Sequence, residues 1–324
     1  MYNIVFLLNK NYFDTKMSRV RFHSIRALFA HESVNGFYTG PGWDNWSELL
    51  TPQENIKNLT NSNCNLVIGY KPLEISGFSD ITYNKCIRYN EMYDKEWTLK
   101  EIVESKSNTV VCHHYNDYVE YRNILKTFKN HSVKSLTWVP HSAEASIFKP
   151  KPNIEKKYDI AIVGATNVRT MLGEHYPLRA RMTRLLNSFP SKYRCAIIPH
   201  VGGSHSDAHT DRYAHDFADK INSSHIIITD AGAPKSRFGK YIEVPMCGVG
   251  LAGDLYDDHP TDVEELKTFL IEINMQMSDE EIISTLIEHL ENDYILINKI
   301  QAGLEYTKKF TQERYAERFI NQIF

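Results

Sequence analysis

The sequence has little of what marks nucleic-acid-binding or membrane-spanning proteins. Its 37 Lys and Arg residues are matched by 40 Asp and Glu residues, which gives a net charge of -3. No broad basic field is therefore present to attract nucleic-acid phosphates. No stretch approaches the roughly 18 to 20 apolar residues that a membrane-spanning helix needs. We expect no nucleic-acid partner and no transmembrane segment.

The cysteine content is also low and argues against a disulfide framework or a zinc knuckle. The apolar segment from Ile4 to Leu8 lacks a basic flank before it and is followed at once by polar residues, unlike a secretion signal. We interpret it as a buried first strand and predict a cytoplasmic protein. The cysteines are five in number, scattered, and never spaced as Cys-x-x-Cys: Cys64, Cys86, Cys112, Cys195 and Cys247.

Short apolar runs recur along the chain with helix-like patterns between them. Such runs are typical of strands that helices bury on both faces, which indicates an α/β fold with parallel sheets. A chain of 324 residues suits two domains, since domains usually have about 100 to 200 residues. The predicted strands are Ile4 to Leu8, Leu66 to Ile68, Thr109 to Cys112, Leu136 to Val139, Ile160 to Val163, Ala196 to Ile198, His225 to Thr229 and Val249 to Ala252.

The segment from Phe148 to Lys157 contains two prolines and four lysines and has little to bury. It indicates an interdomain linker. Directly after it, residues 158–164 are typical of a first strand that ends in a tight glycine turn, as a second Rossmann-like unit would begin. We therefore predict domains over residues 1–150 and from residue 151 onward. Further helix signals are a possible N-cap at Asp262, a capping box at Ser278 and a last amphipathic helix from Thr311.

The most informative segment is Asp230 to Asp254, which predicts a strand, a Gly-rich loop, a short helix and another strand. A loop leading into a helix N-terminus offers backbone N–H groups and the positive end of the helix dipole, which suit a diphosphate. Lys235, Arg237 and Lys240 add positive charge. Glu243, about two turns from the loop, can accept hydrogen bonds from both hydroxyls of a ribose. A solvated loop before an ordinary helix explains the same residues.

This segment resembles the signature of the GT-B glycosyltransferases. The similarity lies in Phe238-Gly239, in Glu243 and in Met246-Cys247-Gly248, followed by the strand from Val249 to Asp254. In that family the matching glutamate binds the donor ribose. The resemblance implies that Glu243 holds the ribose and that the turn from Arg237 to Lys240, with Phe238 and Gly239, binds phosphate.

Further segments match the family in the expected order. Pro140 to Pro150 resembles the segment before the family's linker, and Ile162 to Gly164 resembles the strand that opens the donor domain. Tyr176 to Arg179 is similar to a Tyr-Pro-x-Arg of the spore-maturation-protein-like (CgeB-like) branch, and Arg179 joins the candidate phosphate ligands. The similarity is convincing over residues 136–324 and loose over residues 1–135.

The resemblance implies the GT-B fold, in which two Rossmann-like domains face each other across a cleft. Residues 1–150 would form the acceptor-side domain, residues 151–305 the nucleotide-sugar donor domain, and residues 306–324 a terminal helix that packs back on the N-terminal domain. One position departs from the family pattern. Retaining members carry a second glutamate eight positions before the ribose-binding one, where this chain has Lys235. The stereochemical outcome is therefore left open.

Candidate catalytic residues in the N-terminal half lie in loops that follow predicted strands. His113 follows such a strand in a segment that resembles the family's strand-His segment, which touches the donor sugar. His113 or His23 can accept a hydroxyl proton near neutral pH, as an inverting reaction needs. Asp44 is another candidate base, between Trp43 and Trp46, whose rings suit a sugar face. Backbone-bonded histidines, a turn-capping aspartate and core tryptophans explain the same residues.

The densest cluster of potential metal ligands has a spacing that matches no zinc motif and favours a solvated loop. Asp257-Asp258 likewise favours a turn. GT-B enzymes generally stabilise the departing diphosphate with helix dipoles and basic side chains in place of a metal. We therefore expect no metal site and no cofactor apart from the nucleotide-sugar co-substrate. The cluster comprises His200, His205, Asp207, His209 and Asp211.

The sequence thus predicts a glycosyltransferase that moves a sugar from a nucleoside diphosphate sugar to a hydroxyl of a glycan, lipid or protein acceptor. Two alternatives stay open. A nucleotide-sugar 2-epimerase would share the fold and the donor site but would release a changed sugar without an acceptor. A non-catalytic nucleotide-sugar-binding subunit is suggested by Lys235, where an acid might stand.

Overall fold

The computed structural model describes residues 1–89, 94–166, 169–170, 173–199, 211–257 and 259–324. Within them the chain divides into two compact units. The first comprises residues 1–141 and 312–324, and the second lies within residues 142–311. Each unit is built on its own parallel sheet. The prediction of two Rossmann-like α/β domains is therefore confirmed.

The first unit alternates strands with helices. In its described residues a six-stranded sheet has the order β2-β1-β3-β4-β5-β6, with every neighbouring pair parallel. The strands are β1 (Tyr2–Leu7), β2 (Val34–Thr39), β3 (Leu66–Gly69), β4 (Lys85–Tyr89), β5 (Thr109–Cys112) and β6 (Ser135–Trp138). The helices between them are α1 (Lys10–Lys16), α2 (Arg19–Ala30), α3 (Pro52–Leu59), α4 (Lys95–Glu104) and α5 (Tyr115–Thr127).

Strand β1 illustrates why short apolar runs form these sheets. Successive side chains of a strand point to opposite faces. Ile4 and Phe6 enter one hydrophobic cluster, whereas Val5 and Leu7 enter another. All four side chains are at most 1% exposed. A strand that is covered on both faces carries apolar side chains on both. The apolar run from Ile4 therefore predicted this strand.

The second unit repeats this construction. In its described residues a five-stranded parallel sheet has the order β10-β7-β11-β12-β13, beside a small antiparallel pair, β8 with β9. The strands are β7 (Tyr158–Val163), β8 (Arg169–Thr170), β9 (Gly173–Glu174), β10 (Cys195–Ile198), β11 (Ser224–Ile228), β12 (Gly250–Gly253) and β13 (Leu270–Glu272). The helices are α6 (Pro177–Asn187), α7 (Arg212–Asn222), α8 (Lys240–Met246), α9 (Pro260–Phe269), α10 (Asp279–Glu291) and α11 (Asp293–Thr307).

The chain then returns to the first unit through its last helix, α12 (Gln312–Ile323). This helix packs against α2, and the Phe324 ring after it stacks on Tyr2 with centroids 3.9 Å apart. Residues 306–324 were predicted as one terminal helix. They contain the end of α11, a short 3-10 turn (Lys308–Phe310) and α12. Among the described helices, none is both long and apolar enough to cross a membrane.

Residues 148–157, predicted as a linker, are held to the second unit. Phe148 is 1% exposed and belongs to that unit's hydrophobic core. The Asn222 side chain donates to the backbone oxygen of Lys149 and accepts from the backbone N–H of Lys151. Two prolines and four lysines indicated a flexible connector, but a buried aromatic ring and an asparagine side chain fix its beginning.

The predicted helix signals had different outcomes. Ser278 forms the expected capping box with Glu281 at the start of α10, so that prediction is confirmed. The N-cap of α9 is His259, and Asp262 lies in the first turn of that helix, so the prediction for Asp262 is wrong. Pro260 explains the earlier start, because proline is favoured in the first turn of a helix.

Candidate functional site

The residues predicted to bind a donor gather at the carboxyl edge of the second sheet. From β7 the strand order continues to β10 on one side and to β11 on the other. Parallel α/β sheets bind ligands outside the carboxyl ends of the strands at such a switch point. Gly164 directly follows β7, and Thr229 to Ala231 directly follow β11. These two segments form the base of the candidate site.

Lys240 lies against the glycine turn after β7. Gly164 has φ +107°, a conformation that residues with a side chain rarely adopt. A methyl group added there would come within 3.0 Å of Lys240 Nζ. Lys240 is also the first residue of α8, so its charge lies beside the positive end of that helix dipole. This arrangement suits a phosphate group.

Glu243 lies closer to the loop than the sequence predicted. It occupies the first turn of α8 instead of a position two turns from the loop. A Cβ at Gly239 would be 3.4 Å from the Glu243 carboxyl atoms, so the carboxylate lies beside the start of the helix. The side chain is 3% exposed. Glu243 and Lys240 therefore belong to the same turn of α8.

A buried ion pair holds the edge of the sheet together. Asp230 follows β11 and accepts hydrogen bonds from the backbone N–H and the Nε of Arg179, both at 3.0 Å. Each side chain is 1% exposed. Arg179 Nη1 also donates to the backbone oxygen of Ala165 at 2.8 Å, just beyond the glycine turn. The pair therefore joins the ends of β7 and β11 to the first turn of α6.

A second aspartate fixes the loop that precedes α8. Asp254 follows β12 and accepts a hydrogen bond from the backbone N–H of Ala231 at 2.7 Å. It also accepts from the Lys235 amine at 2.5 Å, and its backbone oxygen accepts from the Tyr241 hydroxyl at 2.6 Å. Burial raises the pKa of Tyr241 well above its usual value of 10.0, so this hydroxyl stays a donor. Asp254 therefore positions both the loop and the helix.

The other predicted donor ligands on this loop pack into the second unit. Arg237 is 1% exposed. Its Nη1 donates to Asp262 at 3.2 Å and to the Tyr306 hydroxyl at 3.0 Å. Phe238 is buried and lies edge-on to the ring of His175. Arg179 and Arg237 thus present almost no surface to a ligand, and their contact with a diphosphate stays a prediction.

His113 lies at the carboxyl end of β5 in the first unit. It is 1% exposed, and its Nδ1 lies 2.7 Å from the backbone oxygen of Val139. Burial and the nearby positive charge of Arg88 hold the pKa of His113 well below its usual value of 6.5. The ring is therefore neutral, and because a carbonyl only accepts, Nδ1 carries the proton. Nε2 is left as an acceptor, without a hydrogen-bond partner in the described part of the chain.

The two other candidate bases stand on separate elements. His23 is buried in α2 beside Phe22, and Asp44 is exposed in the loop after β2. Trp43 donates from Nε1 to the backbone oxygen of Leu8 at 3.1 Å and packs with the hydrophobic core. Trp46 packs against another apolar cluster. The two tryptophans thus fit the packing interpretation better than a sugar platform.

The predicted absence of a metal site stays an expectation. Among the described residues, no group of three or more His, Cys, Asp and Glu side chains is arranged to hold a metal ion. Asp211 is described and directly precedes α7. The other members of the cluster of potential metal ligands lie outside the described residues, as does Asp258. They are His200, His205, Asp207 and His209.

Sequence reasoning missed several residues that shape these sites. Asp230 and Asp254 marked the limits of the informative segment, but their roles as hydrogen-bond acceptors were not predicted. Each follows a predicted apolar strand, and this position was the available signal. His141, whose ring stacks on His113 with centroids 4.8 Å apart, follows the last strand of the first unit in the same way. Arg88 gave no comparable signal, because it lies inside a strand.

Comparison with known proteins supports the fold. No family model matches the chain, and no curated protein sequence matches it. Among solved structures, a glycosyltransferase from Rickettsia africae is 11% identical with a TM-score of 0.62, covering 99% of this chain and 97% of that one. Anabaena Alr3699/HepE, solved in complex with UDP and glucose, is 9% identical with a TM-score of 0.63 and 99% of each chain covered. The predicted GT-B fold is confirmed.

The buried ion pair gives the first testable prediction. We expect Asp230→Ala to destabilise the second unit by about 3 to 5 kcal/mol, because the Arg179 charge would remain buried without its partner. Arg194→Ala removes the exposed pair with Asp159 and should change stability little. Urea unfolding followed by circular dichroism measures both variants. Similar losses in the two variants would contradict the structural role of the buried pair.

The glycine turn gives the second prediction. Gly164→Ala should destabilise the protein by about 1 to 3 kcal/mol, because alanine is strained at this backbone conformation and its methyl group would displace Lys240. Gly239→Ala is the matched control. Its φ is helical, and the added methyl group would meet the Glu243 carboxyl at an ordinary 3.4 Å. Thermal unfolding should separate the two variants, and an equal effect would show that the Gly164 turn is not constrained.

His113 gives a prediction about pH. Its pKa is lowered in the folded protein, so the unfolded chain binds more protons below the usual value of 6.5. Stability should therefore fall as the pH decreases below that value, by up to about 1.4 kcal/mol per pH unit from this group. His113→Asn should show a shallower decline in urea unfolding between about pH 7.5 and pH 5.5. An unchanged slope would mean that His113 is not held neutral.

Proposed function

We propose that the protein is a glycosyltransferase that moves a sugar from a nucleoside diphosphate sugar to an acceptor hydroxyl, without a metal ion or a separate cofactor. The observation that carries this proposal is the position of Lys240, which lies against the Gly164 turn with Glu243 in the same helical turn. The GT-B fold, shared with an Anabaena protein solved with UDP and glucose, supports it.

In the proposed donor complex, the diphosphate lies against the glycine turn and the Lys240 ammonium group. The Glu243 carboxylate accepts hydrogen bonds from the ribose hydroxyls. Lys235, whose side chain is half-exposed, adds positive charge at the side of the same loop. Arg179 and Arg237 are also predicted to contact the diphosphate, and their guanidinium groups hold the sheet edge and the loop from within the unit.

The chemistry follows from this arrangement. The bond between the anomeric carbon and the diphosphate oxygen breaks, and its electron pair leaves with the diphosphate. Positive charge that is already in place stabilises the charge that develops on this leaving group. The acceptor oxygen bonds to the anomeric carbon and loses its proton. For an inverting reaction we propose His113, His23 or Asp44 as the proton acceptor; burial lowers the pKa of His113 and makes it a weaker base than a free imidazole.

Two finer predictions belong to the same proposal. Membership in the CgeB-like branch rests on Tyr176 to Arg179, where the Arg179 guanidinium carbon lies 3.3 Å from the centre of the Tyr176 ring. A cytoplasmic location rests on the cysteines, all five of which are free thiols. A reducing compartment keeps thiols in that form.

A thermal-shift screen with nucleotides tests the donor site. We expect one class of nucleoside diphosphate sugar to raise the melting temperature, because a ligand that binds the folded state stabilises it. Glu243→Gln and Lys240→Ala should each reduce this shift, since each removes one proposed contact. Lys267→Ala is the matched control because Lys267 is an exposed lysine of the same unit, paired with Glu264. No shift with any nucleotide, or equal shifts in all variants, would contradict the proposed site.

Product analysis then separates the proposal from its alternatives. Radiolabelled donor should transfer its label to an acceptor, with release of the nucleoside diphosphate. Formation of a changed free sugar without an acceptor would instead identify an epimerase. Donor binding without turnover across a broad set of acceptors would favour a non-catalytic nucleotide-sugar-binding subunit.

A further inference from the structure

The first unit contains a cavity that the donor site does not use. Its volume is about 250 Å³, and it lies at the carboxyl ends of β3 and β4. Gly69, Lys71 and Arg88 line it from the strand ends, Arg21 from α2 and Glu101 from α4. The carboxyl edge of a parallel sheet is where α/β domains bind ligands. The cavity is therefore at a functional position in the first unit.

Positive charge predominates in this cavity. Arg21, Lys71 and Arg88 line it together with two acids, Asp94 and Glu101. The Asp94 carboxylate accepts from a backbone N–H at the start of α4, as its N-cap. Glu101 accepts the Tyr89 hydroxyl at 2.7 Å, and burial raises the pKa of its carboxyl group. Asp94 is thus occupied by the start of α4, whereas the Glu101 carboxyl group also interacts with the charges of Lys71 and Arg21.

The two arginines have unused hydrogen-bonding capacity. Arg88 is 7% exposed, and its Nε has no hydrogen-bond partner in the described part of the chain. The same holds for the Nε of Arg21. An aromatic ring lies close to each, with the Tyr315 ring centre 5.3 Å from the Arg88 guanidinium carbon and the Tyr70 ring centre 4.4 Å from that of Arg21. An Nε–H group that is buried without an acceptor is costly, and an oxyanion would satisfy it.

The remaining lining suits a sugar ring. Trp97 lines the cavity and is 45% exposed, an unusual position for a large aromatic side chain. Tyr70 lines the same cavity and is half-buried. Aromatic faces of this kind pack against the apolar face of a sugar. The cavity thus combines cations for an anionic group with rings for the body of a sugar.

We propose that this cavity binds the acceptor, and that the acceptor is a sugar carrying a phosphate or carboxylate group held by Arg21 and Arg88. The inference rests on the proposed function, because it takes the bound sugar to be the acceptor of the transferred group. The position of His113 agrees with this assignment. The backbone N–H of His113 donates to the backbone oxygen of Tyr89 at 3.1 Å, and Tyr89 lines the cavity, so the cavity and the proposed base are neighbours within the first unit.

Direct binding tests the inference without a donor. Isothermal titration calorimetry would compare glucose 6-phosphate, glucuronate, glucose and inorganic phosphate. We expect at least one of the two anionic sugars to bind, and the one that binds more tightly identifies the anionic group. Arg88→Gln and Arg21→Gln should each weaken this binding by about tenfold or more, since each removes a charge-assisted hydrogen bond. Arg122→Gln, an exposed arginine of the same unit, should leave it unchanged.

Absence of binding by both anionic sugars would overturn the inference, and so would any of three further results. The first is equal binding of glucose and the anionic sugars, the second is inorganic phosphate binding as tightly as glucose 6-phosphate, and the third is binding unaffected by both arginine variants. Arg88 is buried, so its replacement also removes packing contacts inside the unit. Arg21 is half-buried, and Arg21→Gln therefore provides an independent test, with thermal unfolding as the check on folding.

The outcome is distinguishable from that of the donor-site screen. Nucleotide stabilisation that depends on Glu243, together with no binding of anionic sugars, would overturn this inference and leave the glycosyltransferase proposal standing. Binding of an anionic sugar that depends on the arginines, without any nucleotide binding, would overturn the glycosyltransferase proposal and leave the cavity as an anionic-sugar site.

Discussion

The carboxyl edge of the second sheet depends on one buried contact, the ion pair between Arg179 and Asp230. Parallel strands end in loops, and the loops at a switch point are not held by the hydrogen bonds that join neighbouring strands. Here a single guanidinium group joins the loop after β7, through Ala165, to the aspartate after β11. Because both side chains are 1% exposed, removal of either one would leave the other charge uncompensated. The pair therefore fixes the base of the candidate site.

The second constraint comes from the neighbouring strand. Asp254, at the end of β12, holds the backbone of Ala231 and the hydroxyl of Tyr241, so the loop and α8 keep one position relative to the sheet. This position brings Lys240 against the Gly164 turn. The segment from Asp230 to Asp254 thus contains cations of two kinds: Arg237, which packs inside the unit, and Lys240, which lies at the carboxyl edge of the sheet. Both side chains are positively charged, so the charge does not distinguish their roles, whereas their burial does.

The fold was largely predictable from the sequence because its central strands contain uninterrupted apolar runs. β1, β5, β7 and β11 follow from that pattern alone. The sequence did not predict β2 and β4, because polar residues and a glycine interrupt them: Asn35, Gly36, Lys85 and Arg88. The motif singles out Glu243, whose role stays a prediction, whereas the burial of Arg179 and Arg237 depends on partners distant in sequence. No local pattern reveals that Arg88 lies in a cavity beside Arg21.

The central claim is that a nucleoside diphosphate binds at the Gly164 turn and the start of α8. Hydrogen–deuterium exchange of the full chain, with and without the nucleotide that stabilises it, tests this claim most directly. The account predicts slower exchange in peptides that cover residues 158–166 and 238–246, and a weaker effect with the corresponding nucleoside monophosphate. Slower exchange confined to other peptides at saturating nucleotide would contradict it.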